Sequence, residues 1–199
     1  YDAKSLEENT YKSLQYGYDF CINKICKGMI TLPLRKDLIK TKIDNKFIGH
    51  TEFFQKIDNK KSANMILYHK KIIVSPLTTH IAVNKISKTI SKKKYLYNQI
   101  YNLNECLKID FNIINPKIII SGLNPHAGEN GEIGNEEKKI IIPVIKNLKK
   151  KGINVFGPYS ADSILIKKNI SNFDCFLFMY HDQALIPFKY ISQFSGVNY

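Results

Sequence analysis

The sequence predicts an α/β fold, and three observations carry that prediction. Helical and extended patterns alternate along the whole chain. The extended segments are short apolar runs, as strands need when helices cover both faces of a sheet. No internal repeat and no Pro/Gly/Ser-rich linker interrupts the alternation. The 199 residues suffice for one large domain or two small lobes, and a hydrophobic fraction of 44% is ordinary for a globular chain. Residues 1–199 therefore read as one continuous α/β region.

The first element expected is a helix from Ser5 to Ile22, with Tyr11, Leu14, Tyr18, Cys21 and Ile22 on one face. Gly28 closes that segment, and Met29 to Leu34 reads as a buried strand. Three further strands are expected in the apolar runs Lys71 to Leu77, Lys117 to Ser121 and Phe173 to Met179. Between them, Ile81 to Ile90 and Asn135 to Lys151 carry helical patterns. Asn135 suits a helix cap, and Glu136 and Glu137 suit the positive end of the helix dipole. Pro143 falls inside that pattern and should kink the helix or mark a late start.

Composition narrows the function. The net charge of +13 invites a nucleic-acid partner, yet Arg35 is the only arginine among 30 basic residues. Nucleic-acid readers rely on bidentate arginine contacts. The Lys/Ile/Asn excess is what an AT-rich genome imposes on any protein, so no nucleic-acid partner is expected. The positive field still suits a phosphorylated substrate. No apolar run approaches the roughly 20 residues that span a bilayer, so no membrane partner is expected. The N-terminus shows no secretory h-region, which points to the cytoplasm. The four cysteines, Cys21, Cys26, Cys106 and Cys175, have no C-x-x-C spacing and read as buried free thiols.

The chemistry gathers behind the predicted strands. In open α/β sheets, ligands bind beyond the carboxyl ends of the strands. His80 follows the run ending at Leu77, His126 follows the run ending at Ser121, and His181 follows the run ending at Met179. A single loop histidine is more often satisfied locally. Three of them after three equivalent strand ends make a divalent-metal site with an open face, provided the strands are parallel neighbours. The loop Gly122-Leu-Asn-Pro-His-Ala-Gly-Glu-Asn-Gly-Glu-Ile-Gly134 is glycine-rich and opens a helix, which suits an anion, although a plain loop explains the glycines equally well. In Gly49-His50-Thr51-Glu52, His50 and Thr51 could hold phosphate; the competing reading is that Thr51 caps a helix.

These residues resemble the 4-hydroxythreonine-4-phosphate dehydrogenase family. The matching segments are Gly49-His-Thr-Glu-Phe-Phe54, Thr78-Thr79-His80, Gly122-Leu-Asn-Pro-His-Ala-Gly-Glu129 and Met179-Tyr-His-Asp-Gln183. They are joined by Gly157-Pro-Tyr-Ser-Ala-Asp162, Lys189-Tyr190 and Gly196-Val-Asn198. The resemblance implies an α/β/α fold of two lobes like isocitrate and isopropylmalate dehydrogenases, with this chain forming parts of both. It implies a homodimer with the active site at the subunit interface. It further implies His80, His126 and His181 as ligands of a divalent metal (Zn, Mg or Co), and His50, Thr51, Lys189 and Asn198 as substrate-binding positions. Asp162 matches an acidic position near the metal. The family has a segment before Tyr1, and after Asn198 it continues to a substrate-binding arginine and a loop that helps to hold the nicotinamide. Both ends of this chain are therefore expected to lie inside a longer protein, and no cofactor-binding residue is assigned.

The implied reaction oxidises the secondary alcohol of 4-phosphooxy-L-threonine with NAD or NADP. The β-keto acid product, 2-amino-3-oxo-4-phosphooxybutanoate, decarboxylates to 3-amino-2-oxopropyl phosphate, a step of vitamin B6 synthesis. The metal would act as a Lewis acid. Asp162, Asp182 and Lys36 are candidates for the general base. The alternative within the class is a paralogous dehydrogenase of an erythronate or threonate phosphate. Outside it stand a metal-dependent phosphohydrolase and a nucleic-acid-binding module.

Overall fold

The computed structural model describes residues 3–59 and 63–199. It divides into two compact units, residues 1–63 and 64–199.

In the first unit, α1 (Ala3–Ile22), α2 (Lys36–Lys42) and α3 (His50–Ile57) surround a small core of Leu14, Ile39, Phe47 and Phe53. Tyr11 packs edge-on against Phe53 at 5.1 Å between ring centroids and donates its hydroxyl to Asp44. Of the face expected on α1, Leu14 is buried, while Ile22 is exposed. The strand expected over Met29 to Leu34 is absent: the segment is irregular, with Ile30 97% exposed and Leu32 78% exposed. Pro33 removes a ladder donor there, and the described residues offer this segment no partner strand. The run is apolar without being buried.

The second unit is built on one six-stranded sheet. The antiparallel hairpin β1 (Leu67–His69) and β2 (Ile72–Pro76) leads through α4 (Ile86–Ile90) and α5 (Lys93–Ile109) to β3 (Lys117–Ser121). Then follow α6 (Ile142–Lys150), β4 (Asn154–Tyr159), α7 (Lys167–Asn172), β5 (Cys175–Phe178), α8 (His181–Ser192) and β6 (Val197–Asn198). The strand order is β4-β3-β5-β2-β1-β6. The first four are parallel, with Ile119 level with both Phe156 and Phe176, and Phe176 level with Val74.

The period of two along each strand sorts side chains between two cores. Ile73, Ile118, Ile120, Cys175 and Leu177 face α5 and α6, meeting Leu96, Ile100, Leu103, Ile145 and Leu148. Val74, Ile119, Phe176 and Phe178 face the other way, onto Ile164 and onto Ala184 and Phe188 of α8. Helices thus cover both faces, which gives the α/β/α layering and explains why these strands read as unbroken apolar runs. The strands expected within Lys71 to Leu77, Lys117 to Ser121 and Phe173 to Met179 are β2, β3 and β5.

The helix expected from Asn135 opens differently. Residues Glu137–Ile141 form a π-helical turn before α6, and no side chain caps it, so Asn135 is not the cap. Pro143 lacks the N–H that would close an α-turn onto residue 139, which suits the wider turn preceding it. Of the four free cysteines, Cys175 is buried and its thiol is pushed up chiefly by that burial; Cys26 is exposed, against expectation. No described helix is long and apolar enough to cross a membrane.

Candidate functional site

The parallel strands end on one edge of the sheet, and the residues that follow them carry the expected chemistry. His80 lies beyond β2, His181 opens α8 directly beyond β5, His126 lies beyond β3, and Asp162 lies beyond β4. Because β5 stands between β2 and β3, it places His181 beside His80: their rings are 6.1 Å apart between centroids. Two imidazoles sharing one ion at metal–nitrogen bonds of about 2.1 Å would have centroids about 5–6 Å apart, so the pair fits one ion.

His181 is prepared for this. Its Nδ1 lies 2.7 Å from Asp182 Oδ1. When Nδ1 donates to that carboxylate, Nε2 keeps its lone pair for a metal, the arrangement that orients histidine ligands generally. His80 adopts a positive φ of 35°, uncommon outside glycine, at the turn that brings it back over β5. The turn is tied down: Leu77 N–H donates to Phe178 O at 2.7 Å, Thr78 Oγ1 donates to Met179 O at 2.8 Å, and Tyr95 Oη donates to Leu77 O at 2.9 Å. Burial pushes the Tyr95 hydroxyl up and keeps it a donor. The two histidines line a cleft of about 190 Å³ with Thr78, Val83, Tyr180 and Asp182.

His126 is not gathered into this pair. It is exposed, in the turn Pro125–Gly131, where five successive residues from His126 to Asn130 have left-handed backbone angles. Four of the five are not glycine, so the loop holds real strain. Among the described residues, no three His, Cys, Asp or Glu side chains come together to hold an ion. His126 does face the end of β4: Asp162 is held below the usual carboxylate range first by the Ser160 hydroxyl at 2.6 Å and further by the His126 charge.

Glu137, expected only to complement a helix dipole, organises this loop from below. It is 2% exposed. Its Oε1 accepts the backbone N–H groups of Leu123 and Asn124, each at 2.8 Å, and its Oε2 accepts Asn124 Nδ2 at 2.9 Å. Gly128 is required above it: its φ is +81°, and a Cβ there would stand 2.6 Å from Glu137 Oε2. Glu136 accepts from Ser87 Oγ at 2.7 Å and Asn124 Nδ2 at 2.9 Å, which holds its carboxyl below the usual range. The spacing from the glycine-rich loop to a Glu-Glu pair was the signal available in the sequence.

In the first unit, His50 is the first residue of α3 and Gly49 the residue before it, so Thr51 lies in the first turn and does not cap the helix. His50 Nε2 is buried without a hydrogen-bond partner, and burial followed by the Lys36 charge pushes the imidazole down. Lys36 reaches Gly49, where a Cβ would come within 3.2 Å of its Nζ. A ring nitrogen that donates when protonated, the Lys36 ammonium and the N-terminal turn of α3 suit an anion, although the Glu52 carboxylate stands at the same point, its Oε2 also 3.2 Å from that Cβ position. In the second unit, Lys189 is exposed on α8, two turns after His181, and Asn198 lies on edge strand β6 opposite Leu67; neither lines the histidine cleft.

Comparisons with known proteins show what the chain resembles. The family model described as "Pyridoxal phosphate biosynthetic protein PdxA" matches residues 3–199. A 4-hydroxythreonine-4-phosphate dehydrogenase of Bacteroides thetaiotaomicron is 41% identical over 172 residues, covering 86% of this chain and 47% of that protein. One from Wigglesworthia glossinidia brevipalpis is 41% identical over 184 residues, covering 89% of this chain and 53% of that protein. The crystal structure of 4-hydroxythreonine-4-phosphate dehydrogenase from Klebsiella pneumoniae superposes with a TM-score of 0.88 at 26% identity, covering 96% of this chain and 58% of that one. The chain thus spans about half the length of the curated relatives it matches.

Proposed function

This chain belongs to the PdxA family of pyridoxal phosphate biosynthetic proteins, and from that premise we propose that it carries the metal-binding part of an NAD(P)-linked 4-hydroxythreonine-4-phosphate dehydrogenase. The observation that carries the reading is the His80–His181 pair at 6.1 Å, with Asp182 holding His181 by its Nδ1. His80, His126 and His181 are the proposed ligands. Their imidazole nitrogens favour Zn or Co over Mg, which prefers oxygen donors. The two units represent parts of two lobes of a longer enzyme, which works in the cytoplasm as a homodimer with its active site at the subunit interface. A site so placed would draw on both subunits, in keeping with the two imidazoles that converge among the described residues.

A divalent cation held by His80, His126 and His181 would supply Lewis-acid chemistry at the substrate's secondary hydroxyl, and a bound nicotinamide would supply the hydride chemistry. The chain's own residues bind and orient. His50 and Thr51 at the start of α3, with Lys36 nearby, are the phosphate-binding positions we propose; Lys189 and Asn198, which lie outside the histidine cleft, are the further substrate-binding positions. Fixing a substrate's polar groups turns an encounter into a defined geometry. Asp162, beyond β4 and hydrogen-bonded by the Ser160 hydroxyl, is the proton acceptor we favour over Lys36, because Lys36 is placed to hold an anion.

The test is oxidation of 4-phosphooxy-L-threonine by the whole protein containing this chain, followed by absorbance of the reduced nicotinamide. Activity should vanish on chelation and return with Zn or Co. Undiminished turnover after exhaustive metal removal would overturn the reading, as would preferred turnover of erythronate or threonate phosphate.

A further inference from the structure

The ends of the four parallel strands are joined by side-chain and backbone hydrogen bonds that run across the sheet. Thr78 Oγ1, beyond β2, donates to Met179 O, beyond β5, at 2.8 Å. Met179 N–H donates to Gln183 Oε1 at 2.8 Å, and Ser121 Oγ, the last residue of β3, donates to the same oxygen at 3.1 Å. Gln183 Nε2 donates to Gly122 O at 3.0 Å. Gly122 N–H donates to Tyr159 O, the last residue of β4, at 2.7 Å. One amide thus satisfies three partners from two strand ends, and only one orientation of the amide does so.

We infer that Gln183 is a positioning residue for the proposed metal site, fixing the strand end that leads to His126 against the first turn of α8 that carries His181. The inference rests on the metal reading above. Gln183 follows His181 by two positions on the same helical turn, and its other contacts are the first residues of the His126 loop. Ser121 is fully buried, so the contact is made in a region where a missing partner is not replaced by water. The amide does not touch the ion; it sets where two of the ligand-bearing segments start.

Cobalt titration of the chain, read by the visible absorption of the bound ion and by affinity, tests the assignment. Gln183→Met keeps the length and removes every hydrogen bond, and it should weaken cobalt binding 10–100-fold, the usual scale for a residue that orients a ligand. Gln183→Glu keeps the shape but sets a carboxylate oxygen against Gly122 O. It should also weaken binding, although its negative charge alone would tighten it. Ser121→Ala and Thr78→Val, milder changes in the same chain of bonds, should weaken it about 3–10-fold and shift the absorption, keeping the test open if Gln183→Met does not fold. Leu103→Ala, buried on α5 away from these bonds, should lower the melting temperature with cobalt affinity unchanged. Tighter binding by Gln183→Glu, unaltered affinity in Gln183→Met, or an equal loss in Leu103→Ala would each overturn the positioning role while leaving the metal site intact. Failure of the unaltered chain to bind cobalt would overturn the metal site and this inference with it.

Discussion

Replacing Glu137 by alanine should cost more than an average substitution, and the structure sets the magnitude. The carboxylate is 2% exposed and accepts three hydrogen bonds at 2.8, 2.8 and 2.9 Å, two of them from backbone N–H groups that cannot move away. Each donor left without a partner costs about 1–3 kcal/mol. Leu123 and Asn124 are half-buried, so water reaches them in part and the lower end applies, about 2 kcal/mol for the pair. Removing the Cγ methylene adds about 0.8 kcal/mol. Relief from burying a charge offsets some of this, which leaves about 2 kcal/mol, or a melting temperature lower by about 6 °C at 2–4 °C per kcal/mol. Glu137→Gln keeps one acceptor but turns an amide against Asn124 Nδ2, and should cost about half as much. Urea unfolding gives the energies, and hydrogen exchange at the Leu123 and Asn124 amides reports the bonds. Alanine within about 0.5 kcal/mol of the parent, with exchange unchanged at those two amides, would refute the argument that this carboxylate holds the loop.

Two further outcomes follow from the site. Asp182→Asn leaves His181 without a charged acceptor on Nδ1 and should weaken zinc binding by about 10–100-fold; equal zinc affinity in calorimetric titration would show that the 2.7 Å contact is incidental. His50 has a folded pKa below the usual 6.5, so its contribution to stability is present above that value and declines as pH falls toward the folded pKa. Inorganic phosphate, which favours the protonated ring, should therefore raise the His50 pKa and bind more weakly as pH rises. An NMR titration in which phosphate leaves the His50 resonances unmoved would remove it from the anion site.

Much of the second unit was legible in the sequence because burial on both sheet faces forces continuous apolar runs, and β2, β3 and β5 have that signature. The same logic misread Met29 to Leu34. An apolar run reports an opportunity for burial, and Pro33 together with the lack of a neighbouring strand leaves Ile30 and Leu32 in solvent. The positions of His80, His126 and His181 after strand ends were readable, since loops follow strands. Which of them meet depends on strand order, and no local pattern encodes that β5 lies between β2 and β3. Glu137 and Gln183 were passed over for a related reason: a lone acidic or amide residue near a helix start looks like a cap until its distant partners are known.

That strand order has a consequence for how the chain acquires its structure. In the parallel array β4-β3-β5-β2, the inner strand β5 is the last of the four to be synthesised. Until residues 175–178 emerge, β2 and β3 each expose an unpaired edge with no correct neighbour to fill the gap between them. The sheet cannot zip up in sequence order, and closing it requires contacts between distant parts of the chain, which slows folding. During that interval the two waiting edges can pair with each other or with another nascent chain. The strand that sets His181 beside His80 is thus also the one whose arrival closes the gap between β2 and β3, so on the ribosome the histidine pair and the closed parallel array appear at the same moment.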